Sequence, residues 1–414
     1  MEDLDDDMLT QILVRLPNCK TVLACTPVNK RWCSLISDLN FSVLFTNHKK
    51  KTLKLNHEGN ELSWTFFTTI VQRSDWYNII KPITYFIWEL PKLSLEFIPC
   101  KNFTVTATFK DLVLCTSHVT DQVGGQLYYI TNPFTKQWVA LPPCPVDDDK
   151  TQEMPSALIC QSTYYNHTRD NFKFRVVLVV QSPATFDLVV YCSEIGEWKQ
   201  INLGISKELV GPVVAEPEIV VCNGIIYLKT GLCLIALDPF DVNDTCDATT
   251  LKARVMPSLP CFGILLESSG QLFILHTPQR YDIVGLWYDE VGRAVELSMV
   301  VWRLDPNQAP LVWETAFQGL CKGTLSSLKF PRTTIFDSII YPENIVVHPY
   351  NDKLIYMYLM PEEEFVLCDL RTGCITPLKS LRYYYLSKFH RLEHQWWPTS
   401  VPASAMLHCR KGVA

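Results

Sequence analysis

The residues best suited to chemistry in this chain are a histidine pair and two acidic runs. His390 and His394 are four residues apart, a spacing that would place two metal ligands on one helix face. They lie in a polar segment with no evident third ligand, so we interpret them as surface residues. We interpret the acidic runs at 147–149 and 362–364 as solvated loops, with a role in binding calcium or a basic partner as the alternative.

Sequence motifs of the common enzyme classes are absent. The chain contains no G-x-x-x-x-G-K-[ST], G-x-G-x-x-G, G-x-S-x-G or H-E-x-x-H pattern. Its 16 cysteines are scattered, form no C-x2-C pair, and lie mostly in apolar runs, where a free thiol behaves as a small hydrophobe. We therefore predict a non-catalytic chain with no metal site and no cofactor.

Composition and charge favour a folded intracellular protein. The chain has 414 residues, 48% of them hydrophobic and 19% charged, which is enough apolar surface to build a core. Its net charge of −6 argues against binding nucleic acid through a broad basic surface. No apolar run approaches the ~18 residues that span a bilayer, and the acidic residues 1–7 do not resemble a secretion signal. We expect a cytoplasmic or nuclear protein, or both, that binds neither nucleic acid nor membranes.

The first part of the chain differs from the rest, because the apolar residues within 1–45 have helical periodicity. The apolar residues of the first helix follow the i, i+3, i+4, i+7 spacing of one face: Leu9, Ile12, Leu13 and Leu16. Residues 5–7 can cap this helix, and Pro17 ends it. Thr26 and Pro27 are predicted to begin a last helix. Its apolar face comprises Val28, Trp32, Leu35 and Ile36.

The apolar side chains of this segment exceed what three short helices can enclose. Helices of this length are marginal alone and depend on packing. The surplus predicts that they cover either the following domain or the surface of a partner.

This segment resembles the F-box motif of plant F-box proteins. The matching positions are Leu4, Leu9, Ile12, Leu13, Arg15, Leu16, Pro17, Val28, Lys30, Trp32, Leu35, Ile36 and Phe41. Asp5 stands where many members have proline, and Asn29 where cysteine or serine is usual. The resemblance implies binding to a Skp1-type adaptor and, through it, to the cullin and RING subunits of a ubiquitin ligase. The implied contact residues are Leu4, Leu9, Ile12, Leu13, Leu16, Pro17, Val28, Trp32, Leu35 and Ile36.

The remaining sequence predicts antiparallel sheets. Residues 46–60 contain the basic run 47–51 and are predicted to be a solvated linker, with a nuclear localisation signal as the alternative. From residue 61 onward, short runs rich in β-branched and aromatic residues alternate with turn residues. No long amphipathic helix interrupts them, so the strands should pair antiparallel.

The strand pattern repeats at roughly forty to sixty residues, the length of a propeller blade with insertions. Each unit has a strand that ends in a polar residue and then a short strand that often carries tryptophan; 128–142, 188–198 and 366–377 are examples, with weaker copies around 85–91, 234–255 and 301–313. The runs 132–143 and 196–198 resemble the F-box-associated and kelch-related propellers of plants, and 396–402 resembles their tail. We predict about six blades (six or seven), with a large β-sandwich as the alternative fold.

The sequence therefore predicts an α+β multidomain chain. A three-helix F-box (1–45), a linker (46–60), an all-β propeller (61–402) and a tail (403–414) follow one another. The resemblance implies the substrate-recognition subunit of a Skp1–cullin–F-box ligase, whose propeller binds an unknown target protein. A propeller enzyme or small-ligand receptor, in which the F-box serves only assembly, is one alternative. A scaffold that recruits nothing for degradation is another.

Overall fold

The structure is a computed structural model that describes part of the chain. The described residues are 4–55, 64–71, 78–79, 95, 97–100, 103–117, 127–146, 154–161, 173–181, 186–203, 217–230, 233–241, 253–256, 259, 263–276, 288–289, 292–305, 311–325, 345–348, 351–359, 364–380, 385–393, 399 and 401.

Residues 4–55 form a helical head. Its elements are α1 (Asp6–Val14), α2 (Cys19–Leu23), a 3-10 turn (Thr26–Val28), α3 (Lys30–Ser37) and α4 (Leu39–Leu55). The first three helices each begin after an Asp or Asn side chain that accepts a hydrogen bond from a backbone N–H three residues later. These bonds join Asp5 to Met8 at 2.7 Å, Asn18 to Thr21 at 2.9 Å and Asn29 to Trp32 at 2.8 Å.

Two predictions for the head are wrong. Asn29, rather than Thr26, caps α3, because Thr26 and Pro27 lie in the separate 3-10 turn. The head also has a fourth helix, α4, so residues 46–55 are helical and not a linker. The basic run hid the amphipathic pattern of α4, in which Phe41 and Phe45 are buried with ring centroids 6.4 Å apart.

The basic run of α4 is partly used within the head. The Lys49 ammonium donates to the Leu16 carbonyl at 2.6 Å and lies 5.1 Å from the centre of the Phe45 ring. Burial lowers the pKa of Lys49 below its ordinary value. Lys49 therefore joins α4 to Leu16, which follows the end of α1. This is a structural role for one of the four lysines of the predicted linker.

The β domain follows the head and consists of groups of antiparallel strands. The first strands are β1 (Trp64–Val71) and β2 (Asn78–Ile79). One sheet contains β3 (Phe103–Phe109), β4 (Leu112–Ser117), β5 (Leu127–Asn132) and β6 (Gln137–Ala140). The next contains β7 (Ser156–Cys160), β8 (Phe174–Gln181), β9 (Phe186–Cys192) and β10 (Glu197–Asn202). The third contains β11 (Glu218–Cys222), β12 (Ile225–Thr230), β13 (Cys233–Leu237) and β14 (Ala253–Val255).

The later strands form a nine-stranded sheet, and one further strand completes the β domain. Its first part is β15 (Ile264–Ser268), β16 (Gln271–His276), β17 (Tyr288–Asp289), β18 (Gly292–Leu304) and β19 (Glu314–Leu325). Its second part is β20 (Ile345–His348), β21 (Asn351–Leu359), β22 (Glu364–Asp369) and β23 (Cys374–Ser380). Strand β24 (Tyr385–Glu393) pairs with β1, so the two ends of the β domain share one sheet.

The innermost strands of these groups make a closed circle. In the described part of the chain, β3 contacts β7, β7 contacts β11, β11 contacts β15, β15 contacts β20, β20 contacts β24, and β24 contacts β3. Each four-stranded group has two apolar faces, and radial packing buries both against neighbouring groups. The domain is propeller-like, as the sequence predicted.

The two parts of the nine-stranded sheet are joined by parallel pairing. Strand β19 pairs with β23 at Lys322/Cys374 and Gly323/Ile375. A Cβ atom at Gly323 would lie 2.2 Å from the Ile375 carbonyl oxygen, so only glycine allows this approach. No sequence period predicts this junction, because it links the outer strands of successive groups.

The polar residue that ends each repeat has a local role. The side chains of Asn132, Asp238 and Asp369 each accept a hydrogen bond at 2.9 Å from the N–H two residues later. This bond shapes the turn into the last strand of a group. The repeat at 85–91 lies outside the described residues.

A buried arginine ties two groups together. Arg175 on β8 is paired with Glu194, donates to the Pro239 carbonyl at 3.3 Å and lies 4.9 Å from the Phe240 ring centre. Burial raises the pKa of Glu194, but its hydrogen bonds with Arg175 outweigh that effect and hold the pKa below its ordinary value.

The C-terminal segment docks through a buried aspartate. Asp111 Oδ2 accepts from the Asn132 side chain at 2.9 Å and from the Thr399 backbone at 2.6 Å. Asn132 also donates to the Thr399 carbonyl at 2.7 Å. Burial raises the pKa of Asp111 above its ordinary value despite these hydrogen bonds.

Candidate functional site

The head exposes an unusual share of apolar side chains. The described residues include eleven exposed large hydrophobic side chains, and five of them lie within residues 4–55. Their exposed fractions are 57% at Met8, 47% at Ile12, 42% at Leu23, 59% at Val28 and 43% at Leu44. These values include any cover that the described β domain provides. The head therefore presents apolar surface that the described part of the chain leaves uncovered.

The ten residues implied by the resemblance divide into three groups. Leu9, Leu13 and Ile36 are 3%, 1% and 3% exposed and form the core of the head. They hold the helices together in this structure and do not offer a surface, which corrects their assignment as contacts. Leu4, Leu16, Trp32 and Leu35 are half-buried. Ile12, Pro17 and Val28 are exposed.

Local structure explains the division. On α1, Leu9 and Leu13 are one turn apart and face the interior, while Met8 and Ile12 are one turn apart and face outward. Val28 lies in the 3-10 turn, which brings no side chain of its own into the core. Arg31 connects α3 with the start of α1. Its Nε is 2.6 Å from Asp6 Oδ1, and its guanidinium also donates to the Leu4 carbonyl.

Sequence reasoning missed three exposed residues, Met8, Leu23 and Leu44. Met8 could have been found, because it is four residues before Ile12 and shares its face. Leu44 was hidden by the assignment of the following residues to a linker. Leu23 is exposed at the end of α2, and its spacing carries no signal of that exposure.

The centre of the β domain holds a cavity of about 830 Å³ lined by the circle of innermost strands. Arg391 on β24 reaches into it and bonds Glu267 of β15, at 2.6 Å to Oε2 and 3.1 Å to the carbonyl, and Glu393 Oε1 at 3.1 Å. Because β20 stands between β15 and β24 in the circle, Arg391 connects strands that are not neighbours. The guanidinium charge is thereby compensated by carboxylates of the wall.

His390 is not a surface residue as predicted, because it lies buried on β24. The strand was missed since its sequence is polar, whereas its position is set by pairing with β1, more than three hundred residues earlier. His394 and the acidic residues 147–149 and 362–363 lie outside the described residues. Within the described residues, no group of three His, Cys, Asp or Glu side chains is placed to hold a metal ion. None of the helices there is long and apolar enough to cross a bilayer.

Comparisons with known proteins identify the family of this chain. The profile of the family described as "F-box protein At3g26010-like, beta-propeller" matches residues 62–382. The Arabidopsis thaliana F-box protein At3g23950 is 21% identical over 89% of this chain and 83% of its own length. The F-box/kelch-repeat protein At3g61590 of the same plant is 25% identical over 72% of each chain.

Solved structures are more distant. TolB from Acinetobacter baumannii superposes on 85% of this chain and 72% of its own with a TM-score of 0.39 and 8% identity. A TM-score of this size supports no inference about function. The family profile spans most of the chain, from residue 62 to residue 382. The chain therefore belongs to the plant F-box proteins that carry a β-propeller, in the F-box protein At3g26010-like family.

Proposed function

We propose that this chain is a substrate-recognition subunit of a Skp1–cullin–F-box ubiquitin ligase. The head binds a Skp1-type adaptor, and the adaptor brings the cullin and RING subunits. The observation that carries this proposal is the exposure of Met8, Ile12, Leu23, Val28 and Leu44 in the folded chain. An adaptor with an apolar groove would remove these side chains from water at about 25 cal/mol for each Å² buried.

The adaptor contacts that we propose are the exposed and half-buried residues of the head. Ile12, Pro17 and Val28 are the first contacts, and Leu4, Leu16, Trp32 and Leu35 can contribute from its rim. Met8, Leu23 and Leu44 join them on the basis of their exposure. Core residues Leu9, Leu13 and Ile36 act indirectly, by fixing the helices.

The β domain holds the target in this proposal. Its contribution to ubiquitin transfer is proximity, since a bound target lysine is held at high local concentration near a conjugating enzyme elsewhere in the complex. No residue of this chain has to react. We propose six blades, because six innermost strands make the circle in the described part of the domain.

The head joins the β domain at one identifiable end. Strand β1 begins at Trp64, which pairs with Glu393, and Glu393 N–H donates to the Lys110 carbonyl at 2.8 Å. The tight turn after β3 therefore lies at the head end. The Asn223 side chain donates to the Gly270 carbonyl at 2.8 Å, so the turns after β11 and β15 lie together at the corresponding end of their own groups.

We propose that the target binds at the opposite end. The antiparallel order places there the connections between successive groups, such as Ala140 to Ser156, Asn202 to Glu218 and Leu325 to Ile345. These are longer than the two-residue turns after β3, β11 and β15 at the head end, which also has the longer connections from Cys160 to Phe174 and from Leu237 to Ala253. Longer connections on a rigid scaffold are where recognition residues concentrate.

Reconstitution of the ligase tests this proposal. We expect the purified full chain to elute with a plant Skp1-type adaptor and to recruit cullin and RING subunits only when the adaptor is present. We also expect its targets to be stabilised in cells that lack it. A chain that elutes alone at micromolar adaptor concentration would contradict the adaptor assignment, and unchanged target lifetimes would favour the scaffold alternative.

The proposed working compartment is the cytoplasm, the nucleus or both. Support comes from the cysteines, which pack as small hydrophobic residues in the cores of several groups, as Cys115, Cys192 and Cys222 do. Thiols used in this way suit a reducing compartment.

A further inference from the structure

The central cavity of the β domain has different chemistry at its two ends. Strands β3, β11 and β15 end at the head end, and β20 ends beside them, because the Ser268 hydroxyl donates to the His348 carbonyl at 2.6 Å. The charged side chains that line the cavity in the described part of the chain all lie at this end, within the last three residues of a strand or directly after it. They are Lys110, Asp238, Glu267, Arg391 and Glu393.

The half of the cavity away from the head is lined by aliphatic side chains. Several of them occupy the first two positions of β7, β11, β15 and β20. They are Ala157, Ile219, Leu265, Ile345 and Val346. Strand β11 shows how the cavity affects burial, because residues 219–221 line it and are half-buried, whereas residues 226–228 of the next strand outward are buried. This half therefore has apolar surface that lacks close packing.

Uncharged polar groups accompany this apolar surface. In the described part of the chain, each innermost strand pairs with a strand on its outer side only. Its other edge carries backbone N–H and C=O groups that border the cavity. The hydroxyl-bearing residues Thr106 and Ser156 line the cavity as well. The site can therefore form hydrogen bonds with an uncharged group of a ligand.

The charges of the cavity disfavour a charged ligand. Arg391 is already paired with Glu267 at 2.6 Å and with Glu393 at 3.1 Å. With Lys110 and Asp238, the described lining holds three carboxylates and two cations, an excess that repels an anion. A charged group of either sign in the apolar half would lose its hydration without gaining a partner. An uncharged ligand meets neither cost.

We propose that the apolar half of this cavity binds a small uncharged molecule that is largely apolar and carries a hydroxyl or carbonyl group. Its apolar part covers the aliphatic residues at the starts of the strands, and its polar group bonds the strand edges. The cavity volume of about 830 Å³ lies in the range of small-molecule pockets. This site goes beyond the adaptor and target roles proposed above and does not depend on them.

Equilibrium dialysis of the purified full chain with three naphthalene compounds tests this proposal. At pH 7, 2-naphthol is uncharged and carries a hydroxyl group, whereas 2-naphthoate is an anion and 2-naphthylmethylamine is a cation. We expect saturable binding of 2-naphthol with a Kd below about 1 mM, and binding of both ions weaker by at least ~10-fold. Thr106→Trp fills the cavity and should weaken the binding of 2-naphthol by a similar factor. Thr135→Trp, the same change at a half-buried threonine outside the cavity, should retain it.

Other outcomes would overturn the proposal. Absence of saturable 2-naphthol binding would exclude the site, and equal or tighter binding of either ion would exclude the preference for an uncharged ligand. Unchanged binding by a folded Thr106→Trp variant would show that 2-naphthol binds elsewhere on the chain. Hydrogen exchange of the wild type locates the site even where this variant fails to fold, because bound 2-naphthol should slow exchange in β11 and β15 and leave residues 4–55 unchanged. None of these results depends on the adaptor assignment.

Discussion

The head and the β domain of this chain treat apolar surface in opposite ways. The β domain closes a circle of strands, so that each sheet finds its cover in the next one. The head has four helices around one small core, and five large apolar side chains among those the structure describes there are exposed to water. A closed repeat structure buries its apolar surface within itself. A short helical segment that belongs to an assembly buries the rest of its apolar surface against another protein.

Polar groups show the same contrast. The β domain contains a buried arginine with its carboxylate partner and a buried aspartate that receives the C-terminal segment. The head uses polar side chains mainly at helix ends, where Asp5, Asn18 and Asn29 cap backbone groups that would otherwise lack partners. Changes in the β domain should therefore alter stability, and changes on the head surface should alter binding.

The largest stability effect is expected in the head core. Leu13→Ala removes a side chain that is 1% exposed and should cost about 4 kcal/mol, mostly from the cavity that it leaves. Because the small core belongs to the head alone, we expect helical signal to be lost at a lower temperature than the sheet signal in circular dichroism. The exposed neighbour Ile12→Ala should stay within about 0.5 kcal/mol of wild type. A single shared transition lowered in both signals would contradict the independence of the head.

The next effect concerns the link between two groups of the β domain. Glu194→Ala leaves the Arg175 guanidinium buried without its carboxylate and should cost about 3 kcal/mol in urea unfolding. The pKa of Glu194 in the folded chain is below its ordinary value. Its contribution to the free energy of unfolding is therefore fully present at a pH above the ordinary pKa, and it is lost as the pH falls through the lowered pKa of the folded state. Exposed Glu197→Ala is the matched control. An equal loss in both variants would contradict the special role of Arg175.

A smaller effect of opposite sign is expected at Asp111. Its pKa is raised, so its contribution to stability is fully present below the ordinary aspartate value and is lost as the pH rises through the folded one. Asp111→Asn mimics the protonated side chain and should stabilise the β domain by about 1 kcal/mol at pH 7. The difference should vanish near pH 3 in thermal unfolding. Exposed Asp241→Asn is the matched control, and a destabilised Asp111→Asn at pH 7 would show that the charge is needed.

Local patterns were predictable where neighbours in sequence are neighbours in space. The helical spacing of Leu9 and Leu13, and the polar residue at the end of repeats such as Asn132, are local and were found. The end of the head was not found, because Lys49 reads as a solvated residue although its ammonium lies over the Phe45 ring and bonds the Leu16 carbonyl. The helical spacing could not show which of the ten F-box positions are buried and which are exposed, since that depends on which helices pack together.

Long-range features lay beyond the sequence pattern. The pairing of β24 with β1 and the approach of Gly323 to Ile375 depend on how the circle closes. His390 looked like a surface residue because its polar neighbours are charged groups that line the central cavity.

The affinity for a Skp1-type adaptor is the most direct test of the account. Val28→Asp places a charge on the exposed head surface, and Val255→Asp makes the same change at a similarly exposed site of the β domain. Titration of each purified full chain should show adaptor binding weakened at least ~10-fold, about 1.4 kcal/mol, by Val28→Asp and unchanged by Val255→Asp, with both variants unfolding at the wild-type temperature. Equal, wild-type affinity in both variants would contradict the claim that the uncovered apolar surface of the head is a docking surface.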